Sequence, residues 1–231
     1  STGSSAAAVT GSTVTPTPFV INYSVVNGGS VSPTSANYDL GTPVIFPLPV
    51  RNGYTFAGWA TAATGGSVIG LNGASYSPTG NVTVYATWTG ISYPITYNSN
   101  GGSSTVPSSA TYTSGGSTHT IAAAPGGMTK SGYTFNGWNT LATGLGTNYA
   151  VGSSYETASA LTLFARWSAV NYTVTYANSG SGTGTVPSQA TQTIGQVFTL
   201  ASGAGLTNPG FTFTGWSDGT SNYVAGESYT V

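Results

Sequence analysis

Gly53-Tyr54-Thr55-Phe56-Ala57-Gly58-Trp59 returns as Gly132-Tyr133-Thr134-Phe135-Asn136-Gly137-Trp138, and again as Gly210-Phe211-Thr212-Phe213-Thr214-Gly215-Trp216. The copies begin 79 and then 78 residues apart. A fixed period of this size marks a tandem array of one structural unit. It places function in the array rather than in a single pocket.

Other marks keep the same spacing. An opening strand reads Tyr93-Pro94-Ile95-Thr96-Tyr97 and then Tyr172-Thr173-Val174-Thr175-Tyr176, with a less regular version at Val20-Ile21-Asn22-Tyr23. Asn27-Gly28-Gly29, Asn100-Gly101-Gly102 and Asn178-Ser179-Gly180 follow; Asn-Gly between apolar alternations predicts a hairpin, since both residues tolerate positive φ. Pro33, Pro107 and Pro187 come next. The first two units close on Val82-Thr83-Val84-Tyr85-Ala86-Thr87-Trp88 and Leu161-Thr162-Leu163-Phe164-Ala165-Arg166-Trp167. Period two puts Val82, Val84, Ala86 and Trp88 on one face, and Leu161, Leu163, Ala165 and Trp167 on the matching face. No segment carries a 3.6-residue period, and 34 glycines and 12 prolines punctuate the strands. The fold class expected is all-β and poor in helix: three tandem repeats in an elongated array.

Charge is nearly absent. The 231 residues carry 3 Lys or Arg and 4 Asp or Glu, 3% in all, where about a quarter is usual. So few cations exclude a nucleic-acid partner, which demands replacement of counterions, and give no hold on an anionic membrane. No apolar run approaches the length of a membrane span, so no membrane insertion is expected. A surface this uncharged has little colloidal repulsion and suits a subunit of a solid or fibre. Cysteine is absent, which removes disulfides and thiolate metal sites. Beginning at Ser1, the chain reads as a mature secreted form after loss of a signal peptide.

The order Y-x-V-T-Y-N, turn, V-P, GYTF-x-GW and LTLFARW resembles the Listeria–Bacteroides repeat, also called the internalin B-repeat, over residues 19 to 231. That resemblance implies small β-grasp-like modules in tandem, in secreted and surface proteins of bacteria. Such modules act as stalks, spacers or adhesive segments, and no catalytic residues come with the pattern. The divisions expected are an N-terminal extension (1–18) and repeats at 19–90, 91–169 and 170–231.

The third repeat lacks its LTLFARW strand: Gly226-Glu227-Ser228-Tyr229 aligns with Gly152-Ser153-Ser154-Tyr155, and Val231 follows shortly after. Residues 1–18 belong to no repeat. A spare strand and a place for one together predict donor-strand complementation, in which the tail of one copy completes the last repeat of its neighbour. The donor is residues 6–15, with Ala6, Ala8, Val9, Thr10, Thr13 and Val14 at the interface. The acceptor is Phe213, Trp216, Tyr223, Tyr229 and Val231. Head-to-tail joints of this heterologous kind do not close and build a filament.

Chemistry-bearing residues are sparse. His119, the sole histidine, reads as an exposed strand or loop residue rather than a metal ligand or part of a triad. Asp39, Glu156, Asp218 and Glu227 read as solvated loop charges; Asp218 and Glu227 have no acidic counterparts in every repeat to make a glycosidase pair. Arg51 and Lys130 share one place beside the motif, with Asn208 there in the third repeat, and read as a polar flank of the turn. Asn22, Asn81 and Asn171 begin glycosylation-acceptor triplets, a weak pattern in a chain rich in Ser and Thr. The five tryptophans are read as module cores. Exposed tyrosines such as Tyr112 or Tyr223 are the better glycan contacts. The function expected is an extracellular structural protein with no enzymatic activity and no cofactor, polymerising with copies of itself at the cell surface. The alternative is a stalk or adhesin segment that binds glycans or host proteins.

Overall fold

The computed structural model describes residues 17–231 except Ser181 and Gln189. All regular structure among them is β, in tandem modules. The first repeat contains β1 (Phe19–Ser24), β2 (Ser35–Tyr38), β3 (Val44–Ile45), β4 (Tyr54–Ala60), β5 (Val68–Gly70), β6 (Ser75–Tyr76) and β7 (Val82–Gly90). Its main sheet has the order β2-β1-β7-β4-β5, and β3 pairs with β6. The closing strand β7 is the central one. It runs parallel to β1, with Ile21 beside Val82 and Tyr23 beside Val84. It runs antiparallel to β4, with Trp59 opposite Ala86 and Phe56 opposite Trp88. Ile21, Trp59 and Val84 are fully buried, and Tyr23, Phe46 and Ala86 nearly so.

The repeated motif forms β4, and its second glycine explains the spacing. In a regular strand Phe56 and Trp59, three apart, would point to opposite faces. The register slips between Phe56 and Gly58, and Gly58 sits at φ +136°. This bulge returns both rings to one face, centroids 5.6 Å apart. The indole N–H of Trp59 then donates to the Pro47 carbonyl at 2.9 Å, tying the preceding loop to the strand.

The second repeat repeats the plan with β8 (Ser92–Asn98), β9 (Ala110–Thr113), β10 (His119–Thr120), β11 (Tyr133–Asn139), β12 (Asn148–Tyr149), β13 (Ser154–Tyr155) and β14 (Leu161–Ala169). Its order is β12-β11-β14-β8-β9, and β10 pairs with β13. Central β14 lies parallel to β8, Leu161 beside Ile95 and Leu163 beside Tyr97, and antiparallel to β11, with Trp138 opposite Ala165. A small residue thus faces the motif tryptophan both times, which leaves room for the indole.

The third repeat contains β15 (Asn171–Val174), β16 (Thr183–Gly184), β17 (Ala190–Thr193), β18 (Val197–Thr199), β19 (Leu206–Thr207), β20 (Gly215–Ser217), β21 (Asn222–Val224) and β22 (Ser228–Thr230). Here β15 pairs with β17, β20 with β21, and β18 with β22, each matching a ladder of the earlier repeats; β16 pairs with β19. Among the described residues no strand takes the place of β7 or β14, and β15 and β20 are not bonded to each other.

A single residue joins one closing strand to the next opening strand: Ile91 between β7 and β8, Val170 between β14 and β15. The amide of Ile91 donates to the carbonyl of Gly53, the first glycine of the motif, and its own carbonyl accepts from Ser114. Val170 does the same between Gly132 and Ile194. Gly53 and Gly132 have φ of +80° and +74°, and a Cβ there would collide with Ser114 and Ala158, or with Ile194.

Two expectations need correction, and a third gains detail. The Asn-Gly step does connect antiparallel strands, β1 and β2, but through a ten-residue loop, 25–34, which Gly28 and Gly29 bend at φ +93° and +105°. A Cβ at Gly29 would stand 2.6 Å from the Val50 carbonyl oxygen and 3.1 Å from the Trp88 indole, so the second glycine makes room for that backbone and that ring. Tyr112 is not an exposed glycan contact, since period two along β9 turns it inward to 7% exposure. His119 lies in β10 half-buried rather than exposed, its Nε2 3.5 Å from the Tyr97 hydroxyl.

Candidate functional site

The unpaired edges of β15 and β20 bound a groove of about 1570 Å³ in the third repeat. One wall carries Val174 and Tyr176, and the other Phe213 and Trp216. Their counterparts show what the groove is shaped to hold. Ile95 and Trp138 are fully buried and Tyr97 nearly so, under β14; Val174, Tyr176 and Trp216 are only half-buried. Among the hydrophobic side chains described in this repeat, Leu200 alone reaches the buried class.

The walls are nonetheless held as they are in the second repeat. Tyr176 and Trp216 lie 4.5 Å apart by ring centroid, against 4.8 Å for Tyr97 and Trp138. Phe213 and Trp216 stand 5.0 Å apart, as do Phe135 and Trp138. The indole N–H of Trp216 donates to the Ala201 carbonyl at 2.7 Å, and the Ala201 amide donates to the Tyr176 hydroxyl at 3.0 Å. Both bonds have twins at Ala122. One short segment, Leu200–Ala201, therefore ties the two walls together. The groove thus keeps the wall spacing of the second repeat.

All five acceptor residues expected from sequence, Phe213, Trp216, Tyr223, Tyr229 and Val231, line this groove. The expected donor residues, Ala6, Ala8, Val9, Thr10, Thr13 and Val14, lie outside the described residues. Sequence reasoning missed the β15 wall. The signal was the alignment of Tyr172–Tyr176 with Tyr93–Tyr97, read only as an opening strand.

Asp218 caps the β20–β21 hairpin at one margin of the groove. Its carboxylate accepts from the Thr220 hydroxyl at 2.7 Å, the Thr220 and Ser221 amides at 2.8 Å each, and the Tyr223 hydroxyl at 3.0 Å. The Thr220 hydroxyl leads these in holding the carboxyl well below the usual carboxylate range. The hydrogen bond that Tyr223 donates to this carboxylate raises the pKa of its own hydroxyl. Glu227 accepts from the Val224 amide at 2.8 Å. Both acids are thus engaged in local turn geometry, and among the described residues no cluster of His, Asp and Glu could hold a metal ion. Arg51 and Lys130 lie over the rings of Tyr54 and Tyr133 at 3.6 and 4.6 Å, a cation–π role the sequence reading did not foresee.

Comparison with known proteins agrees with the repeat architecture. Internalin H of Listeria monocytogenes is 34% identical over 119 residues, covering 52% of this chain and 20% of that protein. Two proteins of Evansella cellulosilytica that carry membrane-protein names are 28% identical over 158 residues and 30% over 120. These alignments cover 66% and 48% of this chain, and 23% and 14% of those proteins. The chain therefore spans about a fifth of the length of the curated relatives it matches. No solved structure matches it. The Listeria-Bacteroides repeat domain, a repeat domain and not an enzyme family, matches residues 19–87, 93–166 and 172–231, and this chain belongs to that family.

Proposed function

We propose that this chain is a subunit of an extracellular filament or surface assembly, in which residues 6–15 of one copy enter the groove of the next. One observation carries the reading: β15 and β20 face each other across a preformed groove whose counterpart in each earlier repeat holds a central strand. An extended segment there gains ladder hydrogen bonds on both sides, each worth about 0.5–1.5 kcal/mol net, and covers Trp216 and Tyr176. Because donor and acceptor lie at different places on the chain, each copy offers both, and the joints propagate. The scarcity of charge, 3% of residues, supports a molecule that functions in an assembled state.

Electron microscopy of the purified full chain, beside a chain lacking residues 1–15, tests this. Fibres from the first and dispersed particles from the second are expected. Fibres of the same width from both would overturn it. A second reading takes the chain as a stretch of a longer surface protein, and the fractional coverage of Internalin H favours it. In that case the groove is filled by the same polypeptide, and the full chain stays dispersed.

A further inference from the structure

The joint between copies involves more than a strand in a groove. The chain builds one local junction twice: a residue packed onto the first glycine of the motif, Ser114 on Gly53 and Ile194 on Gly132. Each of these residues precedes a positive-φ glycine, Gly115 or Gly195, just after β9 or β17. The two halves of that junction also occur singly. Leu40, before Gly41 and just after β2, is the counterpart of Ser114 and Ile194, and it is 66% exposed. Gly210 is the counterpart of Gly53 and Gly132, and no heavy atom lies within 4 Å of where its Cβ would stand. Beside it Phe211 is 75% exposed, whereas Tyr54 and Tyr133 are half-buried.

We propose that two copies meet through this same junction, Leu40 of one seated on Gly210 and against Phe211 of the other. The inference rests on the donated-strand reading and fixes its register. In the internal junctions the closing tryptophan precedes the paired residue of the opening strand by seven positions: Trp88 to Ile95, Trp167 to Val174. Ile21 occupies that opening position in the first repeat, so Val14 takes the place of the tryptophan and lies against Phe213. Ser12 then falls opposite Trp216, where Ala86 and Ala165 show that a small residue is wanted. Thr17 takes the place of Ile91 and Val170. Flanked by Pro16 and Pro18, it alone of the three has an amide N–H to donate, and the Gly210 carbonyl is its acceptor. Val9 and Thr15 face outward, beside Thr175 and Thr212.

The chain has no cysteine, so paired substitutions report the register directly. Thr15→Cys with Thr212→Cys is expected to give a disulfide between copies under mild oxidation, located by mass spectrometry; Val14→Cys with Thr212→Cys is not. Leu40→Asp, at an exposed site where folding is indifferent, is expected to weaken assembly about tenfold or more. A bond from Val14 instead of Thr15 overturns the register and leaves strand donation standing. Undiminished assembly of Leu40→Asp overturns the seating on Gly210. Absence of any crosslink between copies, with no fibres from the parent chain, overturns the junction and the donated strand together.

Discussion

Asn139 is the one fully buried polar side chain of the second repeat, in the position that Ala60 and Ser217 hold elsewhere. Its amide donates to the Gly144 and Gly146 carbonyls and to Asn148, and its oxygen accepts from the amides of Leu141 and Gly146. Asn139→Ala removes five hydrogen bonds from this part-buried loop and is expected to cost about 1–3 kcal/mol in denaturant unfolding. Asp218 gives a pH dependence whose sign follows from its depressed pKa. An unfolded aspartate titrates near ~3.9, so the carboxylate's contribution is complete above that value and is lost as pH falls toward the folded pKa. Protection of the Ser221 amide, its exchange rate relative to the intrinsic acid-catalysed rate, is expected to fall in strong acid in the parent chain. Asp218→Asn, which keeps an acceptor but cannot titrate, should show no such loss of protection. Neither role was legible in the sequence. An asparagine or aspartate in a Gly-rich stretch looks like any solvated loop residue until its partners are placed.

Elements were legible where a pattern is local. Period two in Val82–Trp88 and Leu161–Trp167 identified the closing strands and the buried faces of Val84, Ala86, Leu163 and Ala165. Nothing local says that these strands are central, parallel to the opening strand on one side and antiparallel to the motif strand on the other. Pairing depends on residues about 60 positions away. Tyr112 was misread for a related reason: a four-residue strand carries too little alternation to tell its faces apart. The central position also predicts what the groove selects. A peptide of the β14 sequence, Leu161–Ala169, is expected to bind a chain lacking residues 1–15, as read by titration calorimetry. The same peptide with leucine at the Ala165 position should fail, because a larger side chain opposite Trp216 has no room. Equal binding by both peptides would show that the groove does not read a strand in this register.

At the scale of the molecule, the three repeats are alike in sequence but unequal in cohesion. Trp59 and Trp138 are sealed beneath a central strand, whereas Trp216 keeps its hydrogen bond to Ala201 with its ring half open. Removing a sealed tryptophan deletes burial and leaves a cavity, so Trp138→Ala is expected to cost about 3–5 kcal/mol. In dispersed chains Trp216→Ala should cost clearly less. The backbone amides that flank the groove on β15 and β20 have no ladder partner on that side, and such groups open at low free energy. In dispersed chains they should therefore exchange with solvent long before those of β8 and β11. Filling the groove supplies both ladders at once, so assembly is expected to slow exchange in β15 and β20 to the rate of their counterparts and to leave the first two repeats unchanged. Charge adds a second signature of the same joint. The residues proposed to meet, Leu40, Gly210 and Phe211, carry no ionisable side chain, the acids Asp39 and Asp218 near them have no cation in the proposed contact, and the whole chain has a net charge of −1. Salt screening thus has little to act on, while an excluded salt such as sulfate strengthens apolar burial. Fibre yield measured by sedimentation should stay nearly flat in sodium chloride and rise in sodium sulfate. A steep fall in sodium chloride would mean that copies are held by charge, against everything the groove and its flanking glycine present.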